Sequence, residues 1–140
     1  MIKKLLVATD GSDHAKKAIE YACDFGSKYG ASIDVIHVVS PPPIVYSEAS
    51  FEPLVDYAKR AGRTILEEAE KTIRRKGVEQ VETFLAEGDP AQEIIRHARE
   101  NHVDMIFLGS RGAGRIGALM LGTVSHKVCN MAEATCVTVK

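Results

Sequence analysis

The sequence predicts an α/β fold: a doubly wound five-stranded parallel sheet in the order 3-2-1-4-5, with helices on both faces. Short apolar runs alternate with amphipathic helical segments, as in a parallel sheet with crossover helices. Asp10 follows the first apolar run and Gly109 follows the fourth, and sheets of this class bind ligands at the carboxyl ends of their strands. We expect these two ends to meet, which requires the first and fourth strands to be neighbours.

Length and composition predict a single domain over residues 1–140. The chain has 140 residues, of which 45% are hydrophobic and 26% charged, enough to bury one core. The net charge of −1 provides no global attraction for nucleic acid or an anionic membrane. Because no apolar stretch reaches the ~20 residues of a membrane span and no signal-peptide pattern opens the chain, we expect a cytoplasmic protein.

The first two strands have clear boundaries. Leu5 to Ala8 is a continuous apolar run that ends at Thr9-Asp10-Gly11-Ser12, where a helix is expected to start. That helix has one apolar stripe and stops at Gly30. Residues 33–39 are rich in β-branched side chains and end at three consecutive prolines, which cannot continue a sheet.

The middle of the chain continues the alternation. Residues 40–50 are predicted to be a long loop, which is either a lid or partner surface or a variable crossover without function. A long helix is expected from Phe51 to Lys76, with Pro53 in its first turn and Gly62 weakening its continuity. Residues 81–86 then form the third strand, which is interrupted by polar residues as on a sheet edge.

The second half begins with a strong helix-start signal at Asp89-Pro90-Ala91-Gln92. Aspartate caps a helix, proline suits the first helical position, and glutamine three residues on can close a capping box. This helix leads into a buried strand at residues 103–108. A further helix is expected to open at Gly122-Thr123, and residues 136–139 form the fifth strand.

The three cysteines are expected to pack in the core. Cys23, Cys129 and Cys136 are odd in number, lack metal-ligand spacing and lie in apolar surroundings. We therefore expect neither a disulfide nor a zinc site.

The strongest functional signal is the glycine loop, residues 109–112, together with the helix start at Gly122-Thr123. The first N–H groups of a helix lack intrahelical partners and carry the positive end of the helix dipole. Glycine lets phosphate oxygens approach the backbone without a Cβ in the way. Strand, glycine loop and helix start therefore predict an anion site, to which Arg111 or Arg115 could add a positive charge.

Two nucleotide-binding motifs match this region only in part. Residues 112–117 have the glycine spacing of the dinucleotide fingerprint, but no acidic residue ends the following strand to hold a ribose. Gly109 and Gly114 have the P-loop spacing, but Arg115-Ile116 stand where Lys and Ser/Thr are required. Neither Rossmann-type hydride transfer nor Walker-type hydrolysis is supported.

The spacing Gly109-x2-Gly112-x9-Gly122-Thr123 resembles that of the universal stress protein family, in particular its ATP-binding branch. Three other landmarks are similar to the family pattern and in its order: the Thr-Asp-Gly-Ser turn, His37-Val38-Val39, and Gly88-Asp89-Pro90. The resemblance covers the whole chain and implies an adenine nucleotide alpha hydrolase-like fold. The sequence departs from it at Ala134-Thr135, where family members often have a proline before the last strand.

The resemblance implies a site for ATP, ADP or AMP with a Mg or Mn ion. Asp10 looks like the acidic residue near ribose and metal, and Val38 like the position that meets adenine. The other implied nucleotide-binding residues are Ala8, Thr9, Leu108, Gly109, Arg111, Gly112, Gly122, Thr123 and Val124. Asp10 has an alternative role, because an aspartate in such a turn often only bonds the backbone. His37 is expected to be a hydrogen-bonded histidine at the core or the pocket edge.

Two functions of different class remain open. One is a non-catalytic ATP-binding module of the stress response that signals nucleotide occupancy to partners through residues 40–50 and 110–121. The other is a slow ATPase or a phosphoryl- or nucleotidyl-transferring enzyme, although the sequence offers no recognisable nucleophile-and-base pair or carboxylate cluster. A flavodoxin-like flavin protein is disfavoured because the aromatic loops that would surround a flavin ring are lacking.

The C-terminal strand predicts a homodimer. Residues 136–139 form an apolar edge strand with few charges, and only Lys140 follows it in the sequence. Pairing with a second copy across a two-fold axis would satisfy its open backbone groups. The resemblance to universal stress proteins implies the same dimer.

Overall fold

Strands and helices alternate along the chain. The computed structural model describes residues 1–40, 48–111 and 122–140, so the predicted loop residues 41–47 and 112–121 lie outside the described residues. Within that part of the chain the elements are β1 (Lys4–Ala8), α1 (Asp13–Tyr29), β2 (Ser32–Val39), α2 (Glu48–Arg75), β3 (Val81–Glu87), α3 (Pro90–Glu100), β4 (Met105–Gly109), α4 (Thr123–Met131) and β5 (Thr135–Val139).

The strands form one parallel sheet in the order β3-β2-β1-β4-β5. This confirms the predicted fold class and strand order. The central strand β1 pairs with β2 on one side and with β4 on the other, and Val7 lies opposite Phe107. The carboxyl ends of β1 and β4 are therefore side by side.

Both faces of the sheet are apolar and covered. Successive strand residues point to opposite faces, so each central strand contributes to two layers. Leu5, Val7 and Phe107 pack in the layer beneath α1 and α2, whereas Leu6 and Ile106 pack in the layer beneath α3 and α4. The Phe107 ring also meets the ring of Phe25 from α1 edge-on, with 5.4 Å between ring centroids.

One buried carboxylate lies in the second of these layers. Asp34 on β2 is 3% exposed, and its Oδ2 lies 2.9 Å from Nε2 of His97 on α3. The Lys4 ammonium group is 3.8 Å from the same oxygen. Because a buried carboxylate requires partners, this contact also holds α3 in register with the sheet.

The long helix α2 is unbroken but begins earlier than predicted. It starts at Glu48 rather than Phe51, so the predicted loop over residues 40–50 is wrong for its last three residues. Pro53 therefore lies inside the helix and not in its first turn. A proline removes one i→i−4 hydrogen bond, and here the helix continues on both sides of that gap.

Gly62 allows α2 to approach the sheet closely. A Cβ at this position would lie 2.7 Å from Cδ2 of His37 and 2.9 Å from Cδ1 of Leu85. His37 is held in place, because its Nδ1 is 2.7 Å from the backbone oxygen of Thr9. His37 is thus the hydrogen-bonded histidine that the sequence predicted. Gly62 weakens the helix by propensity, but its packing against the sheet explains its presence.

The strand boundaries differ from the predictions by one or two residues. The observed β4 runs from Met105 to Gly109 instead of over residues 103–108, so Gly109 is its last residue. The other four strands contain the predicted residues with one more at an end. Such differences are normal at element ends, where hydrogen bonding and not hydropathy defines the limit.

One cysteine is not in the core. Cys23 is buried on the inner face of α1 and Cys136 is half-buried on β5, but Cys129 is exposed on α4, so the core prediction is wrong for Cys129. The core position on this helix belongs to Val128, which is 0% exposed. The next residue, Cys129, is rotated by about 100° around the helix axis, so its side chain lies outside the core.

Asp104 joins β1 to β4 at the amino ends of the strands. Its Oδ2 accepts hydrogen bonds from the backbone N–H groups of Lys3 at 2.7 Å and Lys4 at 2.9 Å. These hydrogen bonds, that from Lys3 first, lower the pKa of the Asp104 carboxyl below its ordinary value. The carboxylate is therefore the form that the folded state prefers.

We predict that Gly62→Ala destabilises the protein by about 1–3 kcal/mol, the usual range for overpacking. Helix propensity alone predicts the opposite, a gain of about 1 kcal/mol. Urea denaturation measures the difference, and Ala61→Gly on the exposed side of the same helix reports the propensity effect by itself. A higher urea midpoint for Gly62→Ala would contradict the packing explanation.

We also predict that Asp104→Asn is less stable than the parent at pH 7 and that this difference shrinks to nothing as the pH falls through the depressed folded-state pKa of the Asp104 carboxyl. A carboxyl whose folded-state pKa is depressed stabilises the protein above its unfolded pKa of about 3.9, and this contribution disappears as the pH falls through the folded-state pKa. Urea midpoints measured across this pH range test the prediction. A constant difference at every pH would show that the charge of Asp104 is not involved.

Candidate functional site

Three segments that are distant in sequence meet at the carboxyl ends of β1 and β4. A Cβ on Gly109 would lie 2.8 Å from the backbone carbon of His14 and 2.9 Å from the Ala15 nitrogen, so the end of β4 touches the first turn of α1. A Cβ on Gly122 would lie 3.7 Å from the carbonyl oxygen of Ser110. The turn after β1, the end of β4 and the start of α4 therefore border one site.

The turn after β1 is held by its own side chains. Thr9 is 6% exposed, and its Oγ1 accepts a hydrogen bond from the Gly11 N–H at 3.2 Å. Asp10 Oδ1 accepts a hydrogen bond from the Ser12 N–H at 2.9 Å. This is the backbone-bonding role that the sequence left open beside contact with ribose or metal. Ser12 Oγ in turn accepts from the Ala15 N–H at 3.2 Å and caps α1. This network fixes the Asp10 carboxylate at the mouth of the site.

The end of β4 is anchored from two directions. The Ser110 N–H donates to the Val139 carbonyl at 2.7 Å, which ties the segment to β5. Ser110 Oγ lies 3.4 Å from Nδ1 of His14 in the first turn of α1. Neither His14 nor Ser110 is among the site residues predicted from sequence, although Ser110 stands between Gly109 and Arg111, which are. Arg111 is exposed at the end of this segment, and Gly112 lies outside the described residues.

The start of α4 differs from the two other helix starts whose caps can be compared. Ser12 and Asp89 cap α1 and α3 with side-chain hydrogen bonds. The N-cap of α4 is Gly122, which makes no such side-chain hydrogen bond. Gly122 has a φ of +76°, a conformation that favours glycine. The N-cap residue of α4 therefore contributes no side-chain hydrogen bond to the first turn, an arrangement that suits an anion.

An apolar rim borders the site on one face of the sheet. Ala8, Val38 and Leu108 all lie in the layer beneath α3 and α4. Leu108 is 3% exposed, while Ala8 and Val38 are half-buried. The predicted residues from three adjacent strands thus come together at one sheet edge. Their roles in binding stay predictions.

A separate groove of about 350 Å³ lies between α1 and α2. From the turn after β1, only Thr9 and Gly11 line it. Its charged lining residues carry both signs: Lys16, Lys71 and Arg75 are basic, and Glu20 and Glu68 are acidic. This groove shows no accumulation of one charge and does not include the predicted phosphate-binding residues.

Comparison with known proteins gives the family. All residues from 1 to 140 match the sequence profile of the universal stress protein family. Universal stress protein YxiE of Bacillus subtilis is 38% identical over 149 aligned residues, which cover all of both chains. A universal stress protein of Thermus aquaticus is 38% identical over 97% of this chain and 96% of its own length. The chain belongs to the universal stress protein family.

Solved structures of universal stress proteins share this fold. UspA from Lactobacillus plantarum superposes with a TM-score of 0.90 at 19% identity, over 99% of this chain and 98% of its own. A universal stress protein in complex with cAMP has a TM-score of 0.77 at 24% identity, over 99% of this chain and 97% of its own. One from Archaeoglobus fulgidus in complex with dAMP has a TM-score of 0.72 at 22% identity and covers both chains fully.

Two features are absent from the part of the chain that the structure describes, a membrane-spanning helix and a cluster of metal ligands. In this part of the chain, no helix is long and apolar enough to cross a membrane. The described segments also contain no group of three or more histidine, cysteine, aspartate or glutamate side chains that could hold a metal ion.

Proposed function

We propose that this universal stress protein binds ATP between the carboxyl ends of β1 and β4 and acts as a cytoplasmic, non-catalytic regulatory module of the stress response. The observation that carries the proposal is the contact of three segments around one anion site. Gly109 ends β4, the Gly122 cap of α4 lies near the Ser110 carbonyl that follows it, and the Asp10 turn continues the neighbouring strand β1. The cAMP and dAMP complexes of family members support an adenine nucleotide as ligand, and ADP or AMP would use the same site.

The phosphates would bind at the start of α4 and the end of β4. Gly122 removes the cap side chain, and the helix dipole favours a negative charge in front of Thr123 and Val124. Gly109 lets β4 end directly against the first turn of α1, which keeps the end of β4 and the Asp10 turn side by side. Arg111 is exposed beside this position and could pair with a phosphate oxygen.

The nucleoside would bind on the side of β1 and β2. The half-buried side chains of Ala8 and Val38 provide an apolar rim for adenine, with Leu108 beside them. Asp10 is held by the Ser12 N–H at the mouth of the site, where its carboxylate could accept a ribose hydroxyl. Thr9 would support this turn from inside the protein, because its side chain is almost completely buried and accepts a hydrogen bond from the Gly11 N–H.

A Mg or Mn ion fits this arrangement only together with the phosphates. Among the described residues, the protein alone offers no cluster of metal ligands. Mg²⁺ commonly binds through one or two carboxylates plus substrate phosphates and keeps several waters. Asp10 is the carboxylate that we propose for this role.

One contact favours a second candidate function, slow ATP hydrolysis or phosphoryl transfer. Ser110 Oγ and His14 Nδ1 are 3.4 Å apart beside the proposed phosphates, and a hydroxyl next to an imidazole can act as nucleophile and base. The separation is longer than the usual 2.6–3.2 Å or so of such pairs. Release of ADP from bound ATP, measured over hours, distinguishes this enzyme from the binding module.

We predict that the protein binds ATP in the presence of Mg²⁺ and that Gly122→Val weakens the binding at least about tenfold. A side chain at this position would stand where phosphate must approach the N–H groups. The variant also forces a β-branched residue to a φ of +76°. Isothermal titration calorimetry measures the affinity.

Gly30→Val is the matched control for this experiment. Gly30 has a similar φ of +65°, and a Cβ there would meet no atom within 4 Å. It ends α1 at the opposite edge of the sheet from the proposed site, so it carries the same type of backbone strain without a ligand nearby. Equal ATP affinity in parent and Gly122→Val, or equal losses in both variants, would refute the phosphate assignment.

We also propose a homodimer in which two copies of β5 pair antiparallel. The strand is the last in the sheet order and has an open edge. The Thr135 N–H donates to Asp104, and the Val139 carbonyl accepts from Ser110, so alternate residues of β5 bond to β4. By this alternation Cys136 and Thr138 direct their backbone groups to the open edge, where a second copy could pair with them.

We predict that Thr138→Pro dissociates this dimer while the monomer remains folded. Proline removes an N–H that points to the open edge, and edge strands tolerate proline at such positions. Sedimentation equilibrium at tens of micromolar or so should find dimers for the parent and for Thr138→Val, which keeps the N–H, and monomers for Thr138→Pro. A monomeric parent, or a dimeric Thr138→Pro, would count against pairing through β5.

A further inference from the structure

Two of the three cysteines, Cys129 on α4 and Cys136 on β5, lie where these two elements pack together. Cys136 Sγ lies 3.8 Å from the carbonyl oxygen of Val128, the residue before Cys129, and 3.6 Å from that of Ala134. Burial raises the pKa of the Cys136 thiol to about 12, and the charge of Cys129 and a hydrogen bond with its side chain add to the effect. The Cys136 thiol therefore lies against the peptide that joins Val128 to Cys129, although six residues separate the two cysteines in sequence.

The three cysteines differ in their access to solvent. Cys129 is exposed, Cys136 is half-buried and Cys23 is 2% exposed. A small oxidant can reach Cys129 without any movement of the chain. Cys23 lies on α1, in the core layer on the other face of the sheet from α4, and has no access to either of the other two thiols.

We propose that Cys129 and Cys136 form a redox-sensitive dithiol that a hydroperoxide converts to an intramolecular disulfide. The Cys129 thiolate attacks one peroxide oxygen, the O–O bond breaks, and Cys129 becomes a sulfenic acid while water or an alcohol leaves. The Cys136 thiolate then attacks the Cys129 sulfur, the S–O bond breaks, and the hydroxide that leaves takes up a proton and becomes water. Two thiols and one hydroperoxide thus give one disulfide, and the peroxide takes up both electrons.

The structure explains why the two thiols act in this order. The exposed thiol meets the oxidant, whereas the half-buried thiol is held protonated by its surroundings and is a poor first nucleophile. Once Cys129 is oxidised, its sulfur becomes the electrophile that the Cys136 thiolate can attack.

The disulfide would join two elements that already touch. It would tie β5, an edge strand, to the end of α4 and restrict local opening at the C-terminal edge of the sheet. The same helix begins at Gly122, so the cross-link would stiffen the element that borders the candidate site. Backbone amides of β5 should then exchange more slowly with solvent in the oxidised form.

The test is oxidation of the folded protein with hydrogen peroxide, followed by thiol counting, intact mass spectrometry and a non-reducing gel. We expect two of the three thiols to disappear, the mass to fall by two hydrogen atoms, and the chain to migrate as a monomer. Peptide mapping should link Cys129 to Cys136, and dithiothreitol should restore both thiols.

Three variants make the result decisive. Cys23→Ala should form the disulfide like the parent. Cys136→Ser should stop at the sulfenic acid of Cys129, which a 1,3-diketone reagent traps, and Cys129→Ser should keep the Cys136 thiol reduced. The proposal would be overturned by retention of all three thiols in the parent, by a covalent dimer linked through Cys129, or by equal diketone labelling of parent and Cys136→Ser.

Discussion

The pairing of β1 with β4 is the contact on which the rest of this structure depends. It places Val7 opposite Phe107, gives the sheet its central pair of buried strands, and brings the ends of two distant chain segments side by side. The site inherits its geometry from this register, because the turn at Asp10 continues one strand and Ser110 continues the other. Crossover helices of fixed hand then cover both faces, and the observed strand order leaves these two carboxyl ends as neighbours.

Glycine has three different physical roles in this chain. At Gly62 it provides space, since the helix lies against the His37 ring and tertiary packing outweighs helix propensity. At Gly109 it permits contact between the end of a strand and the first turn of α1. At Gly122 it provides a left-handed conformation and leaves a helix start without a capping side chain. A motif of glycines is therefore informative only when each position is explained by its own neighbours.

The order, type and approximate limits of the elements were predictable from sequence. Hydrophobic period and caps such as Asp89 are local signals, and they agree here with the final structure. Errors appeared where a boundary or an exposure depends on contacts: α2 begins before Phe51, and Cys129 points to solvent because Val128 occupies the core position. The selected site residues came mainly from a resemblance to a family, and the contact of His14 with Ser110 had no sequence signal.

By itself, the sequence determined the alternation of strands and helices, the two buried central strands and the glycine-rich helix start, because each of these follows from side chains close together in the chain. Only the tertiary structure decided which distant groups touch. The sheet order brings Gly109 against His14, the close packing of α2 on the sheet requires Gly62, and the packing of α4 on β5 brings Cys136 against the Val128–Cys129 peptide. Such contacts depend on distances between elements, which a linear pattern of residues does not contain.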